Sequence, residues 1–361
     1  MAYTLTDLAI LRDVPFDELI DVRSPAEFAE DHLPGAINLP VLSNAERARV
    51  GMMYVRESRF RARKIGAALV LRNTAHHIET ALADRDGAWQ PLVYCWRGGQ
   101  RSGTFGWLLG EIGWRAETLQ GGYRSFRRTV VAALYDRPLA HRLVVLSGMT
   151  CTAKTELLDL LAEQGLQVID LEGLAHHRGS VFGGRAAPQP SQKLFESRLA
   201  LALAASDPRE PVIVEAESSK IGDLLVPPQL WQAMCAAPRV AVSAPLPARA
   251  RYFSRAYADL IAAPEAFKAR IAALVALHGH GRVAAWKAMV DEGAFETLAA
   301  ELMALHYDPR YAKSSARHGA MLRRTLQLAD LSPAALAAAT ADLAEALLRA
   351  DRTAAAFSAT G

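Results

Sequence analysis

Two short stretches of this chain place reactive or anion-binding groups at spacings that chemistry requires. The first is Cys95-Trp96-Arg97-Gly98-Gly99-Gln100-Arg101-Ser102. A cysteine that ends an apolar run and precedes glycines and arginines can sit in a loop whose amides turn inward. The amides of Arg97 through Ser102, the start of the following helix near Ser102 and the Arg101 guanidinium then form an anion cradle that lowers the thiol pKa. Cys95, Arg97 and Arg101 are the expected catalytic groups, with Gly98, Gly99, Gln100 and Ser102 as the cradle. A free cysteine is more commonly buried and inert, but inert cysteines seldom precede Arg-Gly-Gly-Gln-Arg-Ser. The Cys-x5-Arg interval also fits a phosphatase loop. That chemistry wants a general acid and usually a histidine before the cysteine, where this chain has Tyr94.

The second stretch is Gly148-Met149-Thr150-Cys151-Thr152-Ala153-Lys154-Thr155, a P-loop pattern with Ala153 in place of the second glycine. Gly148, Thr150, Cys151, Thr152 and Ala153 are expected to offer backbone amides to a diphosphate, Lys154 its ammonium and Thr155 a hydroxyl for a magnesium ion. The extra methyl of Ala153 is tolerable in a helical conformation but not where φ must be positive. Cys151 is either a passive loop residue or a second reactive thiol. Acids end two other apolar runs. Glu215 and Glu217 follow Val212-Ile213-Val214, and Asp170-Leu171-Glu172 leads into His176-His177-Arg178, a cluster suited to an anionic substrate. Adjacent histidines are poor shared metal ligands, so Thr155 is the one metal contact expected.

These loops need strands behind them. Glu18 to Val22, Pro91 to Tyr94 and Ala116 to Leu119 read as strands alternating with helices at Pro25, Gly103 to Ile112 and Tyr123 to Leu134. The pattern is α/β and ends near Asp136. After a short linker, Leu143 to Leu146, Gln167 to Asp170, Pro211 to Glu215 and Arg239 to Val242 read as strands of a second α/β unit. From Pro264 onward the pattern is almost all helical and rich in alanine and leucine. The last helix is capped by Ser332, with Pro333 in its first turn, and runs to Arg349 before a frayed tail from Asp351. Residues 1–136 and 137–361 are thus expected to be separate domains.

At 361 residues the chain suits two domains. Its 51% hydrophobic and 22% charged residues fit a globular protein without wholesale disorder. No run of about 18 uncharged apolar residues occurs and Met1 to Leu11 has no secretory pattern, so the expectation is a cytoplasmic protein with no membrane partner. Three cysteines without Cys-x-x-Cys spacing argue against disulfides and zinc. The net charge of +3 allows an RNA partner without requiring one. Arg56 to Lys64 with Arg72, and Arg124 with Arg127 and Arg128, are either solvated helix faces or RNA contacts.

The Cys95 loop, together with Asp21-Val22-Arg23-Ser24-Pro25-Ala26-Glu27-Phe28, His32-Leu33-Pro34-Gly35-Ala36-Ile37-Asn38-Leu39-Pro40 and Gly121-Gly122-Tyr123, resembles a rhodanese domain over Leu5 to Arg128. Val41 to Gln90 is longer than a minimal rhodanese needs. Add the Lys154 loop, Ala45 to Gly51, Asp170 to Ser180, Ser218 to Gly222 and Tyr307-Asp308-Pro309-Arg310-Tyr311, and nearly the whole chain resembles the bacterial tRNA 2-selenouridine synthase family. The resemblance implies an N-terminal rhodanese-like α/β domain, then a P-loop NTPase-like α/β domain with a helical C-terminal region. It also implies exchange of sulfur for selenium in 2-thiouridine at the tRNA wobble position, with selenophosphate as donor. The family is further associated with an S-geranyl intermediate made from geranyl diphosphate. Lys154 and Thr155 would then hold the prenyl diphosphate, and Cys95 would manage selenium. The expected partners are tRNA and an enzyme that supplies selenophosphate, with magnesium possible and no cofactor tightly bound. Relatives usually carry glycine where Cys151 and Ala153 stand. The rival readings are an ATP-dependent tRNA sulfurtransferase using a Cys95 persulfide and an RNA-binding scaffold with relic loops.

Overall fold

The computed structural model describes residues 2–12, 14–315 and 321–358. They form two compact units, Met1–Arg137 with Pro190–Ala205, and Pro138–Gln189 with Ser206–Gly361.

In the first unit, β1 (Ala2–Tyr3), β2 (Glu18–Asp21), β3 (Ile37–Asn38), β4 (Pro91–Tyr94) and β5 (Glu117–Leu119) form one parallel sheet in the order β1-β5-β4-β2-β3. Its middle strand, β4, is buried along its whole length. An interior strand of a parallel sheet is covered on both faces, which explains its unbroken apolar run. Around the sheet lie α1 (Pro25–Glu30), α2 (Asn44–Arg56), α3 (Arg59–Glu79), α4 (Gln100–Ile112) and α5 (Gly122–Val131). The Asp21-Val22-Arg23 signature turns out to be scaffold. Buried Arg23 donates to Asp21 at 2.6 Å and to the Asp31 carbonyl at 2.6 Å, and its guanidinium lies 4.1 Å from the Tyr123 ring centre.

The long Val41 to Gln90 segment folds mainly into α2 and α3, which pack on each other as a helical hairpin. Ser43 and Glu46 form a capping box that starts α2, and Ser58 caps α3. Later in the chain, the helix Gln192–Ala204 returns to this unit. Its Ser197 donates to Asp31 at 3.0 Å, and its Glu196 accepts from Arg127 and Tyr135. The first unit is therefore discontinuous, whereas the sequence suggests a single cut after residue 136.

The second unit is built on β6 (Leu143–Gly148), β7 (Gln167–Ile169), β8 (Val212–Glu215), a short antiparallel pair β9 (Lys220–Ile221) and β10 (Leu224–Leu225), β11 (Arg239–Ser243) and β12 (Leu322–Gln327). The main sheet is parallel, in the order β12-β11-β6-β8-β7. Its edge strand β12 is an exception within the otherwise helical region after Pro264, and the sequence pattern does not reveal it. Leu-Arg-Arg-Thr-Leu-Gln lacks a buried apolar run because only Leu326 is buried, and charged side chains suit an edge. Two short helices follow strand ends, α6 (Lys154–Glu163) and α7 (Leu171–Ala175). Ser332 caps the last helix, which runs from Pro333 to Ser358 and so continues past Arg349. Of the tail expected to fray, residues 359–361 lie outside the described residues. Among the described residues no helix is long and apolar enough to cross a membrane.

Candidate functional site

Cys95 follows β4 directly, and α4 begins at Gln100, two residues earlier than the sequence suggests. Its Sγ accepts the Gly99 amide at 3.3 Å and the Ser102 hydroxyl at 3.1 Å. The thiol is 3% exposed. Burial pushes its pKa up, but the hydroxyl and amide of Ser102, the charge of Arg101 and the Gly99 amide outweigh that, and the net shift is downward. Arg101 acts here through its charge, since its guanidinium is bound to Glu27 at 2.7 Å. Arg97, Gly98, Gly99 and Gln100 are exposed along the loop, and Ser102 is buried beneath it.

Glycines make this loop possible. Gly98 has φ +65, and a Cβ there would fall 2.7 Å from the Leu119 carbonyl. A Cβ on Gly122 would fall 2.2 Å from the Cys95 carbonyl. That close approach lets the Tyr123 and Arg124 amides, at the start of α5, donate to the carbonyls of Cys95 and Trp96 at 2.9 and 3.0 Å. The Gly121-Gly122-Tyr123 motif therefore holds the thiol loop in place.

The loop from Gly148 to Thr155 joins β6 to α6. Ala153 has φ +59 and Cys151 φ +61. Both are left-handed positions that glycine occupies without strain, so Ala153 stands in the conformation where its extra methyl is least tolerated. Lys154 Nζ donates to the Gly148 carbonyl at 3.3 Å, and Thr155 Oγ1 lies 3.5 Å from Glu172 Oε2. Burial pushes the Cys151 thiol up to about 12. Buried Arg249 donates to the Thr150 carbonyl at 3.2 Å and clasps Asp308 at 2.7 and 2.9 Å. That clasp ties the Tyr307-to-Tyr311 motif to the phosphate loop.

A cavity of about 580 Å³ opens beside this loop. Gly148, Thr150, Cys151, Thr152, Ala153, Lys154 and Thr155 line it, with Glu172, Arg178 and Glu217. Behind it, Glu215 is fully buried at the end of β8 and accepts the Glu172 amide at 2.8 Å, while its Oε2 has no hydrogen-bond partner among the described residues. Oxygens of Glu172, Glu215 and Glu217 lie within 4.8 Å of one another. Burial raises all three carboxyl groups, with added repulsion from Asp170 at Glu172 and from Glu172 at Glu215 and Glu217, the last reaching about 8. Such a group accommodates either protons or a divalent cation.

Three other expected residues make local contacts. Asp170 caps α7 through the Gly173 amide at 2.8 Å, His176 contacts the Ala187 carbonyl at 3.1 Å, and His177 bridges to Gly184. None of the three lines the cavity. Sequence reasoning missed Arg185, Arg310, Tyr252, Tyr257, His306 and Tyr307, which do. Only the Tyr307-Asp308-Pro309-Arg310-Tyr311 motif signalled any of them.

Residues 5–129 match the rhodanese-like domain family, and residues 141–272 match the tRNA 2-selenouridine synthase AAA domain family. Similar relatives include the tRNA 2-selenouridine synthase of Chromohalobacter salexigens, 40% identical over 67% of this chain and 66% of its own length. That of Pseudomonas syringae pv. syringae is 39% identical over 64% of this chain and 62% of its own. That of Aeromonas salmonicida is 38% identical over 70% and 67%. The match thus spans slightly less than two thirds of the first two relatives.

Proposed function

This chain belongs to the tRNA 2-selenouridine synthase family, and from that premise we propose that it exchanges sulfur for selenium in 2-thiouridine at the tRNA wobble position, in the cytoplasm, in two steps. In the first, the thiocarbonyl sulfur attacks C1 of geranyl diphosphate. The S–C bond forms, the C–O bond breaks, diphosphate departs and the N3 proton is lost. In the second, water takes the phosphoryl group of selenophosphate, the P–Se bond breaks to give phosphate and selenide, and the selenide adds to C2 as geranyl thiol leaves. Alkylation comes first because a thiocarbonyl sulfur is a poor leaving group until it carries a substituent.

The observation that carries this reading is the pairing of two anion loops of different chemistry in one chain. One presents a thiol of lowered pKa, and the other presents Lys154 beside a tyrosine-walled cavity. Lys154, Arg185 and Arg310 would hold the diphosphate and neutralise it as it leaves. The rings of Tyr252, Tyr257 and Tyr307 suit a prenyl chain and favour positive charge developing at its C1. The unpartnered Glu215 oxygen and the crowding of Glu172 and Glu217 fit a magnesium ion, with the Thr155 hydroxyl within reach. When bound there, the ion supplies charge neutralisation to the diphosphate.

Mass spectrometry of tRNA nucleosides tests both roles. With 2-thiouridine tRNA, geranyl diphosphate and selenophosphate, Cys95→Ala should yield S-geranyl-2-thiouridine without 2-selenouridine. Lys154→Ala should lose most geranylation. Normal selenouridine from Cys95→Ala, or unchanged geranyl diphosphate turnover by Lys154→Ala, would sink the corresponding assignment.

A further inference from the structure

The helical hairpin α2–α3 is where this protein's positive charge is concentrated. Residues 44–72 carry eight arginines and lysines against two acids, Glu46 and Glu57, a net +6 in a chain whose total is +3. All eight basic side chains are exposed. Arg61 pairs with Glu57 at 3.3 Å, and Arg59 lies over the Tyr54 ring at 5.6 Å, whereas Arg49, Arg56, Arg63 and Lys64 form no ion pair among the described residues. The turn between the helices is also apolar on the outside, with Val55 82% and Phe60 78% exposed. Exposed large apolar groups embedded in arginines have no packing purpose in an isolated domain.

The hairpin is physically continuous with the thiol loop. Asn44 at the start of α2 accepts the Ala26 amide at 2.9 Å. One turn later, Arg47 lies 3.7 Å from Glu27, the same carboxylate that holds Arg101 of the Cys95 loop at 2.7 Å. A polyanion lying along the hairpin would therefore end at the site where Cys95 works.

We propose that the α2–α3 hairpin is an RNA-docking surface. Its arginines grip the phosphate backbone of the substrate tRNA, and the exposed Phe60 ring at its tip stacks on an unpaired base. This rests on the tRNA-modifying reading above and adds the place where the RNA is held. A basic surface accounts for affinity through counterion release, and an exposed aromatic ring offers a stacking platform that any base can use. Net charge favours RNA over a protein partner, since a dense basic surface of one sign complements a phosphate backbone.

The test uses the full chain and a fluorescein-labelled transcript of a tRNA with uridine at the wobble position, with anisotropy titrations between 50 and 300 mM KCl. The Arg56→Gln/Arg59→Gln/Arg63→Gln/Lys64→Gln variant should bind more weakly, and its plot of log affinity against log salt should flatten by about three units. Phe60→Ala should weaken binding about tenfold with the salt slope unchanged, because it removes no charge. Unchanged Cys95 alkylation in every variant verifies that the fold is intact. Wild-type affinity and slope in both variants would overturn the proposal, and so would capture of a protein by the hairpin with RNA binding unaffected. Wild-type protein that shows the expected RNA binding yet makes no selenouridine would instead sink the functional reading and leave the docking surface standing.

Discussion

Removing the Ser102 hydroxyl gives the sharpest check on how the thiol loop works. Ser102→Ala deletes the 3.1 Å hydroxyl donation to Cys95 Sγ but keeps the amides of residues 99 and 102. A hydrogen bond to a charged group contributes about 1.5–3 kcal/mol, and about 1.4 kcal/mol corresponds to tenfold in a protonation equilibrium. The thiolate-to-thiol ratio at any given pH should therefore fall by about tenfold to a hundredfold. The assay is iodoacetamide alkylation between pH 5 and 9.5, followed by intact mass, in a Cys235→Ser background because Cys235 is partly exposed. Cys151 should stay unlabelled throughout, since burial pushes its thiol up to about 12. The alkaline plateau should match the parent, because once formed the thiolate is the same nucleophile, while the midpoint moves to higher pH. Glu27→Gln should move it the other way by leaving the Arg101 charge uncompensated. Identical profiles for Ser102→Ala and its parent would mean that the amides alone set the thiol's acidity, and the argument from hydroxyl donation would fail.

Two further outcomes concern stability. Ala153→Gly relieves a left-handed alanine, worth about 1–2 kcal/mol, against about 0.4–1 kcal/mol of added freedom in the unfolded chain. Thermal unfolding should therefore move up by a degree or two, and a clear decrease would show that the loop does not hold residue 153 at φ +59. For Glu217 the folded pKa of about 8 lies above the ordinary 4.5, so the folded state binds the proton more tightly. That contribution is complete below pH 4.5 and is lost progressively as pH rises toward 8. Glu217→Gln should flatten the fall in melting temperature between pH 5 and 8, and an unaltered fall would assign it to other groups.

Much of both loops was legible because each is contiguous in sequence. A cysteine between an apolar run and Arg-Gly-Gly-Gln-Arg-Ser, or Lys154-Thr155 after an apolar run, declares its chemistry within eight residues. What the sequence hid is what long-range packing decides. The helix Gln192–Ala204 is apolar on several faces and could cover either sheet; its place is set by Ser197 on Asp31 and Glu196 on Arg127, pairings 166 and 69 residues apart. The clasp of Arg249 on Thr150 and Asp308 spans 99 and 59 residues. Asp170 looks like site chemistry by composition, and the structure shows that its side chain caps a short helix, a use that composition alone does not reveal. The conformation of Ala153 stays open at the level of sequence because residue type reports a preferred φ, whereas the loop imposes one through the anchors at its ends.

The charge balance of the cavity has a consequence for how a diphosphate enters it. The guanidinium of Arg178 is taken by Asp259 at 2.8 Å, which leaves Lys154, Arg185 and Arg310 facing Glu172 and Glu217, with Glu215 behind. A highly charged anion brought against ionised carboxylates would be repelled, so its arrival must be matched by cations or by protons already on those groups. Protons and magnesium should then substitute for one another. Without magnesium, geranyl diphosphate should bind more tightly as pH falls from 9 to 7, through the range in which Glu217 takes up its proton. With magnesium saturating, that dependence should largely vanish. Titration calorimetry in two buffers of different ionisation enthalpy measures the proton uptake directly. Zero uptake without magnesium, at pH 8, would show that the carboxylate group does not sense the ligand, and the acids would then belong to the scaffold rather than to the site.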